Sequence, residues 1–117
     1  MITNDDMDSV FQALAHVTRR TMLDLIHATP GIAVGQLAQE FDVSRIAVMN
    51  HLAVLEKANL VSSEKEGRTR KLYINVMPIQ DIQDRWMDRY SAHWAERMNT
   101  IKHVAEAAAR ASKKSED

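Results

Sequence analysis

The segment "SRIAVMNHLAVLEKANL", residues 44–60, contains the clearest helical pattern of the chain and decides its fold. Ser44 is a favourable N-cap residue, and Val48, Leu52 and Leu55 follow at intervals of four and three residues. This spacing puts the three apolar side chains on one side of a helix. We therefore predict a helix that begins after Ser44 and buries this side in the core.

The opposite side of this helix has a composition that a solvated surface normally lacks. It carries no charged coat until Glu56 and Lys57, although an exposed face usually holds several Lys or Glu residues. In the major groove of DNA, Arg can bind guanine, Asn can bind adenine, and Ile or Met can contact thymine methyl groups. The helix offers each of these types: Arg45, Ile46, Met49 and Asn50. The alternative is a helix packed on both sides, in which the Arg and Asn would need buried partners.

The remaining elements follow from changes in hydrophobic period. A first helix is predicted from near Asp5 or Asp6, a second after Thr18, and a short third one over "QLAQEF". Two alternating runs, "LVSSEK" and "RKLYINV", predict a β-hairpin turning at Gly67, and Pro78 opens a last long helix. The fold class is thus mostly α with a two-stranded β-hairpin, in the order of a winged helix-turn-helix.

The hairpin is also the basic part of the chain. Residues 44–73 hold six basic and three acidic groups, a net of +3, whereas residues 1–43 hold two and six, a net of −4. The segment "KEGRTRK" places Arg68 and Arg70 around the Gly turn, as a wing reaching phosphates or a narrow minor groove would. Such a loop by itself is usually a solvated basic turn, but its position directly after the helix supports DNA binding.

Composition excludes several other classes of protein. The chain has 117 residues, a formal net charge of −1 and no cysteine, which excludes disulfides and thiolate metal sites. The acidic start "MITNDDMDSV" does not resemble a signal peptide and no apolar run is long enough for a membrane span, so we expect a cytoplasmic protein. No phosphate-binding Gly loop, metalloprotease motif or spaced catalytic triad is found, so we expect no enzyme and no cofactor.

Three segments, "VFQALAHVTRRTMLDLI", "VGQLAQEFDVSRIAVMNHLAVLEKANLV" and "EGRTRKLYIN", resemble the ArsR-type (SmtB/ArsR) winged-helix transcriptional repressors over residues 8–76. The segment "RWMDRYSAHWAERM" resembles their cysteine-free, autorepressor-like subgroup. The resemblance implies a homodimer built from the first and last helices that binds an imperfectly palindromic operator and blocks transcription. From the length and the helical pattern we expect one domain over 1–111, with a last helix at about 78–109 that serves dimerisation and a frayed tail at 112–117.

The resemblance also assigns roles to individual positions. Base-reading roles fall on Arg45, Ile46, Ala47, Met49 and Asn50. Phosphate contacts fall on Ser44, His51 and Gln36, and wing contacts on Arg68, Thr69 and Arg70. The family commonly has small hydroxyl residues where this chain has Ile46, Ala47 and Met49, so we expect more methyl contact and shape reading than usual.

The last helix has an apolar stripe wider than its own core requires, with His93 and Arg97 inside it. One side can cover the core of the monomer while the other meets a partner helix. We hypothesise that Arg97 pairs with an acid across the dimer, with Asp5, Asp6 and Asp8 as candidates. The expected interface consists of Val10, Phe11, Trp86, Tyr90, His93, Trp94, Arg97, Met98 and Ile101.

Two alternatives to a DNA-binding repressor without a metal site stay open, and the sequence does not indicate an effector ligand. Many relatives bind zinc through the last helix, and His93, His103 and Glu106 echo their ligand pattern. However, Ser91 replaces the expected Asp, and the two His residues are turned roughly 80° apart around the helix, so we expect no metal. The other alternative is a winged-helix module that binds protein and not DNA. A steep salt dependence of DNA binding would distinguish the two functions.

Overall fold

The structure, a computed structural model, describes the backbone of residues 2–116 and the side-chain surroundings of residues 2–86, 90 and 92–112. Its contacts divide the chain into two compact units, the first ending at Ile82 and the second beginning at Gln83. The elements in chain order are α1 (Asn4–Leu14), α2 (Val17–Ala28), β1 (Ile32–Ala33), α3 (Val34–Gln39), α4 (Arg45–Lys57), β2 (Val61–Glu66), β3 (Thr69–Ile74), α5 (Met77–Ile82), a π-helical segment (Gln83–Met87) and α6 (Asp88–Glu116).

Side-chain caps set the beginnings of the first two helices. The Thr3 hydroxyl accepts from the Asp6 N–H at 3.0 Å, and the Asp6 carboxylate accepts from the Thr3 N–H at 3.2 Å, which forms a capping box. The predicted cap of α2 was wrong by two residues. His16 is the N-cap, since its Nδ1 accepts from the Thr18 N–H at 3.1 Å. An imidazole can replace the usual hydroxyl because its unprotonated nitrogen is also an acceptor.

The core of the first unit lies between α1, α2, α3, α4 and the sheet. One side of α4 is buried as predicted, with Val48, Leu52 and Leu55 at most 1% exposed. Among the described residues, no buried side chain is polar or charged. Aliphatic and Met packing therefore stabilises this unit. The largest fully buried side chains are Met22, Ile26, Leu37, Leu52, Leu55, Leu60, Leu72, Val10 and Val48.

The sheet has three antiparallel strands in the order β1-β3-β2, one more than predicted. Ile32 pairs with Leu72 and Ala33 pairs with Lys71, and two residues are too few to show a hydrophobic period. Gly31 leads into this strand with φ +85°, and its N–H donates to the Leu72 carbonyl at 2.8 Å. A Cβ at Gly31 would lie 3.3 Å from the Tyr73 hydroxyl, so this approach favours glycine.

The predicted hairpin is confirmed, and its register decides which side chains face α4. Gly67, at φ +64°, and Arg68 connect Glu66 to its partner Thr69. Leu72 is buried and Ile74 packs against the core, so alternation puts Arg70 on the same side of β3. The side chains of Lys71 and Tyr73 belong to the other side.

The predicted single helix from Pro78 is divided in the structure. α5 ends at Ile82, the π-helical segment follows, and α6 begins at Asp88. No uninterrupted i→i+4 ladder connects these parts, and apolar periodicity alone did not indicate the change. α6 continues to Glu116 through helix-forming Ala, Lys and Glu residues, where a frayed tail was predicted for 112–117; Asp117 lies outside the described residues. In the described part of the chain, no helix has the length and hydropathy of a membrane span.

The two sides of α4 predict opposite responses to truncation. Leu55→Ala removes a fully buried side chain and should lower the free energy of unfolding of the first unit by about 2–5 kcal/mol. Ile46→Ala, on the exposed side of the same helix, is the matched control and should change it by less than about 0.5 kcal/mol. Urea denaturation followed by circular dichroism measures both. Equal losses would contradict the two-sided description of α4.

Candidate nucleic-acid interface

A groove of about 720 Å³ runs between the start of α3, the exposed side of α4 and the tip of the β-hairpin. Its lining contains three arginines and no carboxylate. The lining also includes the apolar side chains of α4, so the groove combines positive charge with space for flat, apolar or hydrogen-bonding groups. Its residues are Ala33, Val34, Gly35, Gln36, Gln39, Arg45, Ile46, Met49, Asn50, Arg68, Thr69 and Arg70.

The first turns of α4 present the predicted base-reading side chains to different degrees. The side chains of Arg45 and Asn50 are exposed, and neither side chain forms a hydrogen bond or an ion pair within the part of the chain that the structure describes. Ile46 is 74% exposed, whereas Met49 is half-buried and packs partly against the core. Ala47 is half-buried and does not line the groove. The groove therefore brings together four of the five predicted positions.

Two residues that were predicted to contact phosphates, Ser44 and Gln36, use their side chains to cap helices. The Ser44 hydroxyl accepts from the Ala47 N–H at 3.1 Å and so confirms the predicted cap of α4. The Gln36 side-chain oxygen accepts from the Ala33 N–H at 3.1 Å at the start of α3. Its amide group, which carries the donors, belongs to an exposed side chain in the groove. Both residues thus lie at helix N-termini, where free backbone N–H groups favour anions.

The wing residues differ more than the sequence indicated. Arg68 lies in the turn, is exposed, and forms no ion pair within the described chain. Arg70, predicted to act like Arg68, is half-buried; it forms an ion pair with Glu56 of α4 and also donates to the Ser63 hydroxyl at 3.1 Å. Strand alternation is the reason, because it turns Arg70 toward α4. This alternation was visible in the sequence and could have separated the two arginines.

His51, predicted to contact a phosphate, does not line the groove and lies in a cluster with Arg19 and His16. Its Nδ1 is 3.2 Å from an Arg19 guanidinium nitrogen, and its ring centroid is 4.6 Å from that of His16. The same guanidinium donates to the carbonyls of Gln12 and Ala13, each at 2.8 Å. Arg19 thereby connects the C-terminus of α1 to α4, a role that the sequence analysis missed.

This environment lowers the pKa of His51 from the ordinary value of 6.5. Burial is the main cause because it disfavours the charged ring, and the positive potentials of His16 and Arg19 act in the same direction. The Nδ1 that faces the Arg19 donor must be the unprotonated nitrogen. A neutral His51 is therefore part of the folded arrangement.

In the second unit, α6 and the π-helical segment carry a series of large exposed apolar side chains. Their spacing of three or four residues puts them along one side of the helix. The exposed set is Trp86, Tyr90, Trp94, Met98, Ile101 and Val104, and His93 and Arg97 are exposed as well. In the first unit Phe11 is 45% exposed, but Val10 is only 1% exposed. Val10 packs within its own unit, which corrects its predicted place at a dimer interface.

The positions that echo a zinc site do not form a ligand cluster in the structure. His103 and Glu106, three residues apart on α6, approach to 3.9 Å between Nδ1 and Oε2. Among the described residues, no group of three or more His, Asp or Glu side chains is arranged to hold a metal ion. His93 is ten residues from His103 along the helix and does not join this pair.

Comparison with known proteins connects this architecture to a family. A helix-turn-helix domain model matches residues 14–64. The uncharacterized HTH-type transcriptional regulator YuzN of Bacillus subtilis is 31% identical over 91 residues, which cover 73% of this chain and 99% of that protein. The ArsR-like transcriptional regulator from Rhodococcus sp. RHA1 has a TM-score of 0.68 and 31% identity, covering 88% of this chain and 93% of that one. The chain belongs to the ArsR family of helix-turn-helix transcriptional regulators.

Membership in the ArsR family confirms the predicted fold class and DNA-binding regulatory function. The transcriptional repressor SdpR of Bacillus subtilis is also similar, with 31% identity over 81 residues that cover 69% of this chain and 88% of that protein. The matched helix-turn-helix region ends within β2, so it includes α3 and α4 but not the wing turn. The groove residues Ala33, Val34, Gly35 and Gln39 were missed by sequence analysis, although their proximity to Gln36 along the chain was a signal.

The His51 cluster predicts that stability falls in mild acid. Because the folded pKa is lowered, the unfolded chain binds this proton more readily; the contribution is complete above about pH 6.5 and is lost as the pH falls below it. In His51→Asn, the amide oxygen can accept from Arg19 but does not titrate, so its free energy of unfolding should depend less on pH. Denaturant titrations between about pH 7.5 and pH 5 test this.

His27→Asn, which changes an exposed histidine near the end of α2, is the matched control and should retain the dependence of the wild type. If His51→Asn and the wild type lost the same stability between these pH values, protonation of His51 would not be the cause.

Proposed function

We propose that the chain is a homodimeric repressor that binds a palindromic operator, with α4 in the major groove and the hairpin as a wing. The observation that carries this proposal is the groove itself. Its lining includes eight of the eleven predicted DNA-binding positions, with three arginines, one of them paired with Glu56, and no carboxylate. Because DNA presents phosphates beside base edges, a surface with both charge and open apolar and amide groups suits it.

Roles follow from where each side chain lies. Arg45 and Asn50 are exposed without internal partners and have the chemistry to bind guanine and adenine edges. Ile46 and Met49 supply apolar contact beside them. Ser44 and Gln36 are suited to hold phosphates at two helix N-termini, and Arg68 is suited to hold one from the wing. Ser44, Ala47 and His51 do not line the groove. Of these three, only Ser44 is given a DNA contact, because it is the N-cap of α4 and phosphates bind at helix N-termini.

The apolar side of α6 supports the homodimer. Six large apolar side chains are exposed along it and the preceding segment, more than a monomeric surface usually presents in one stripe. A second copy of the same surface would bury them in an isologous contact, the commonest arrangement of homodimers. Arg97 on this helix remains the proposed partner of an α1 acid across the dimer. Two α4 helices roughly 34 Å apart would reach successive major grooves.

The name of SdpR supports repression, since this relative is a transcriptional repressor. A repressor needs only to occupy its operator and exclude the transcription machinery, so no effector site is required. We further propose that the protein acts in the cytoplasm, where a bacterial operator lies. Because the proposed activity is binding, no catalytic residue is assigned.

Two substitutions distinguish base reading from phosphate binding. Asn50→Ala should relax the preference at one base pair of the operator, at a cost of about 1–3 kcal/mol. Arg68→Ala should weaken binding to all sequences alike and reduce the salt slope by about one. Fluorescence anisotropy with DNA from upstream of the protein's own coding sequence, at two salt concentrations, measures both. If DNA binding by the wild type did not depend on salt concentration, this would contradict the proposed function and favour a protein-binding module.

A third substitution tests the dimer. Trp94→Ala removes the largest side chain from the middle of the apolar stripe and should raise the dimer dissociation constant at least about tenfold, since central aromatic residues dominate interfaces. Glu96→Ala lies about 200° away around the helix and should leave it unchanged. Sedimentation equilibrium measures both. An unchanged constant in Trp94→Ala, or in Arg97→Ala for the proposed ion pair, would contradict that part of the interface.

A further inference from the structure

Arg70 lines the groove, but its side chain is directed by the sheet toward α4. It shares one side of β3 with Leu72, which is buried, and Ile74, which packs against the core. On α4, Glu56 follows Met49 by seven residues, about two turns, and so lies on the side that faces the groove. The ion pair between Glu56 and Arg70 therefore connects the recognition helix to the wing at one end of the groove.

Arg70 also makes a second contact within the protein. Its guanidinium Nη2 donates to the Ser63 hydroxyl on the neighbouring strand at 3.1 Å in addition to the Glu56 carboxylate. The two side chains of the pair are 37% and 30% exposed, so neither extends freely into solvent. Because the Glu56 carboxylate offsets the charge of Arg70, a phosphate is attracted to Arg70 less than to an arginine without an acidic partner. Arg68, two residues earlier, forms no ion pair within the described chain.

Each member of the pair occupies an unfavourable position without the other. Glu56 lies in the last turn of α4, where the negative end of the helix dipole disfavours a carboxylate. Arg70 lies directly opposite Lys65 in the β2–β3 register, and two cations in such a cross-strand pair repel each other. The ion pair reduces both the unfavourable interaction of Glu56 with the helix dipole and the repulsion between Arg70 and Lys65. Neither residue would be favoured at its position if it stabilised only its own helix or hairpin.

We propose that the Glu56–Arg70 pair fixes the wing relative to α4 and so sets the width of the DNA-binding groove. In this arrangement Arg70 is a positioning residue, and Arg68 is the phosphate contact of the wing. This inference rests on the proposed function of the groove. The β2 part of the hairpin is exposed from Ser62 to Glu66, so few packing contacts restrain its tip. Restraint before binding lowers the entropy that the wing loses when DNA binds.

The salt dependence of DNA binding separates positioning from direct contact. Arg68→Gln should reduce the magnitude of the slope of log K against log salt by about 0.9, the loss of one phosphate contact. Arg70→Gln should weaken binding about two- to fivefold, the range of an ion pair that solvent still reaches, with the slope of the wild type. Arg70→Gln would overturn the proposal if its slope fell as far as that of Arg68→Gln.

Glu56→Gln tests the other side of the pair. Removing any carboxylate near DNA favours binding, so the matched control is Glu64→Gln, an exposed acid of β2 that forms no ion pair among the described residues. Glu56→Gln should bind about two- to fivefold more weakly than Glu64→Gln, and the Glu56→Gln/Arg70→Gln double variant no more weakly than Arg70→Gln alone. Glu56→Gln binding as tightly as Glu64→Gln, or additive losses in the double variant, would overturn the proposal.

A measurement on the free protein keeps this inference separate from the proposed function. Hydrogen exchange of the backbone amides at residues 66–69 should be faster in Glu56→Gln and in Arg70→Gln than in the wild type, and unchanged in Glu64→Gln. Unchanged exchange in the first two variants would overturn the positioning role whether or not DNA binds. Failure of the wild type to bind DNA would overturn the proposed function. The exchange measurement, made on the free protein, would still test the positioning role.

Discussion

The packing of one side of α4 against the core is the constraint on which the rest of the first unit depends. Val48, Leu52 and Leu55 are buried among α1, α2 and the sheet, which fixes both the position and the rotation of the helix. Since a helix has two sides, this rotation also decides which residues remain outside. Ile46 and Asn50 are exposed because they lie opposite the apolar positions that the core buries, and Arg45 is exposed in the first turn of the helix. The proposed DNA-binding surface is thus a consequence of how the core is packed.

Polar contacts add to the restraint that apolar packing places on α4. Arg19 connects the last carbonyls of α1 to His51 on α4, so that two helices are restrained by one guanidinium. At the C-terminal end of α4, the chain leaves the helix at a left-handed residue, Asn59, with φ +60°, and the Asn59 carbonyl accepts from the Asn75 amide at 3.0 Å. Together with the Glu56–Arg70 pair, these contacts hold α4 at its middle and at its C-terminal end. A helix restrained in this way presents its exposed side with little freedom, which favours specific binding.

Several features of the site could be predicted from sequence because they depend on local rules. Ser44 was identified as a cap, the hairpin was identified from alternation and Gly67, and Arg45, Ile46, Met49 and Asn50 were assigned to one side of α4. Other features depend on contacts between distant residues. His51 contacts Arg19, thirty-two residues earlier in the chain, and no local pattern indicated this contact. Val10 and Phe11 both belong to the apolar spacing of α1, so the sequence did not distinguish them. In the structure Val10 is buried in the core and Phe11 is exposed.

The sequence alone determined the order of the first four helices and the hairpin, the hairpin turn, the concentration of positive charge in residues 44–73 and the resemblance to the ArsR family. These depend on spacing, capping and composition, which are properties of neighbouring residues. The tertiary structure decided that a two-residue strand joins the hairpin, that Arg68 and Arg70 have different surroundings, and that the groove includes the start of α3. Those outcomes depend on which elements meet, and residues such as Glu56 and Arg70, fourteen positions apart, acquire their relation only when α4 and β3 pack together.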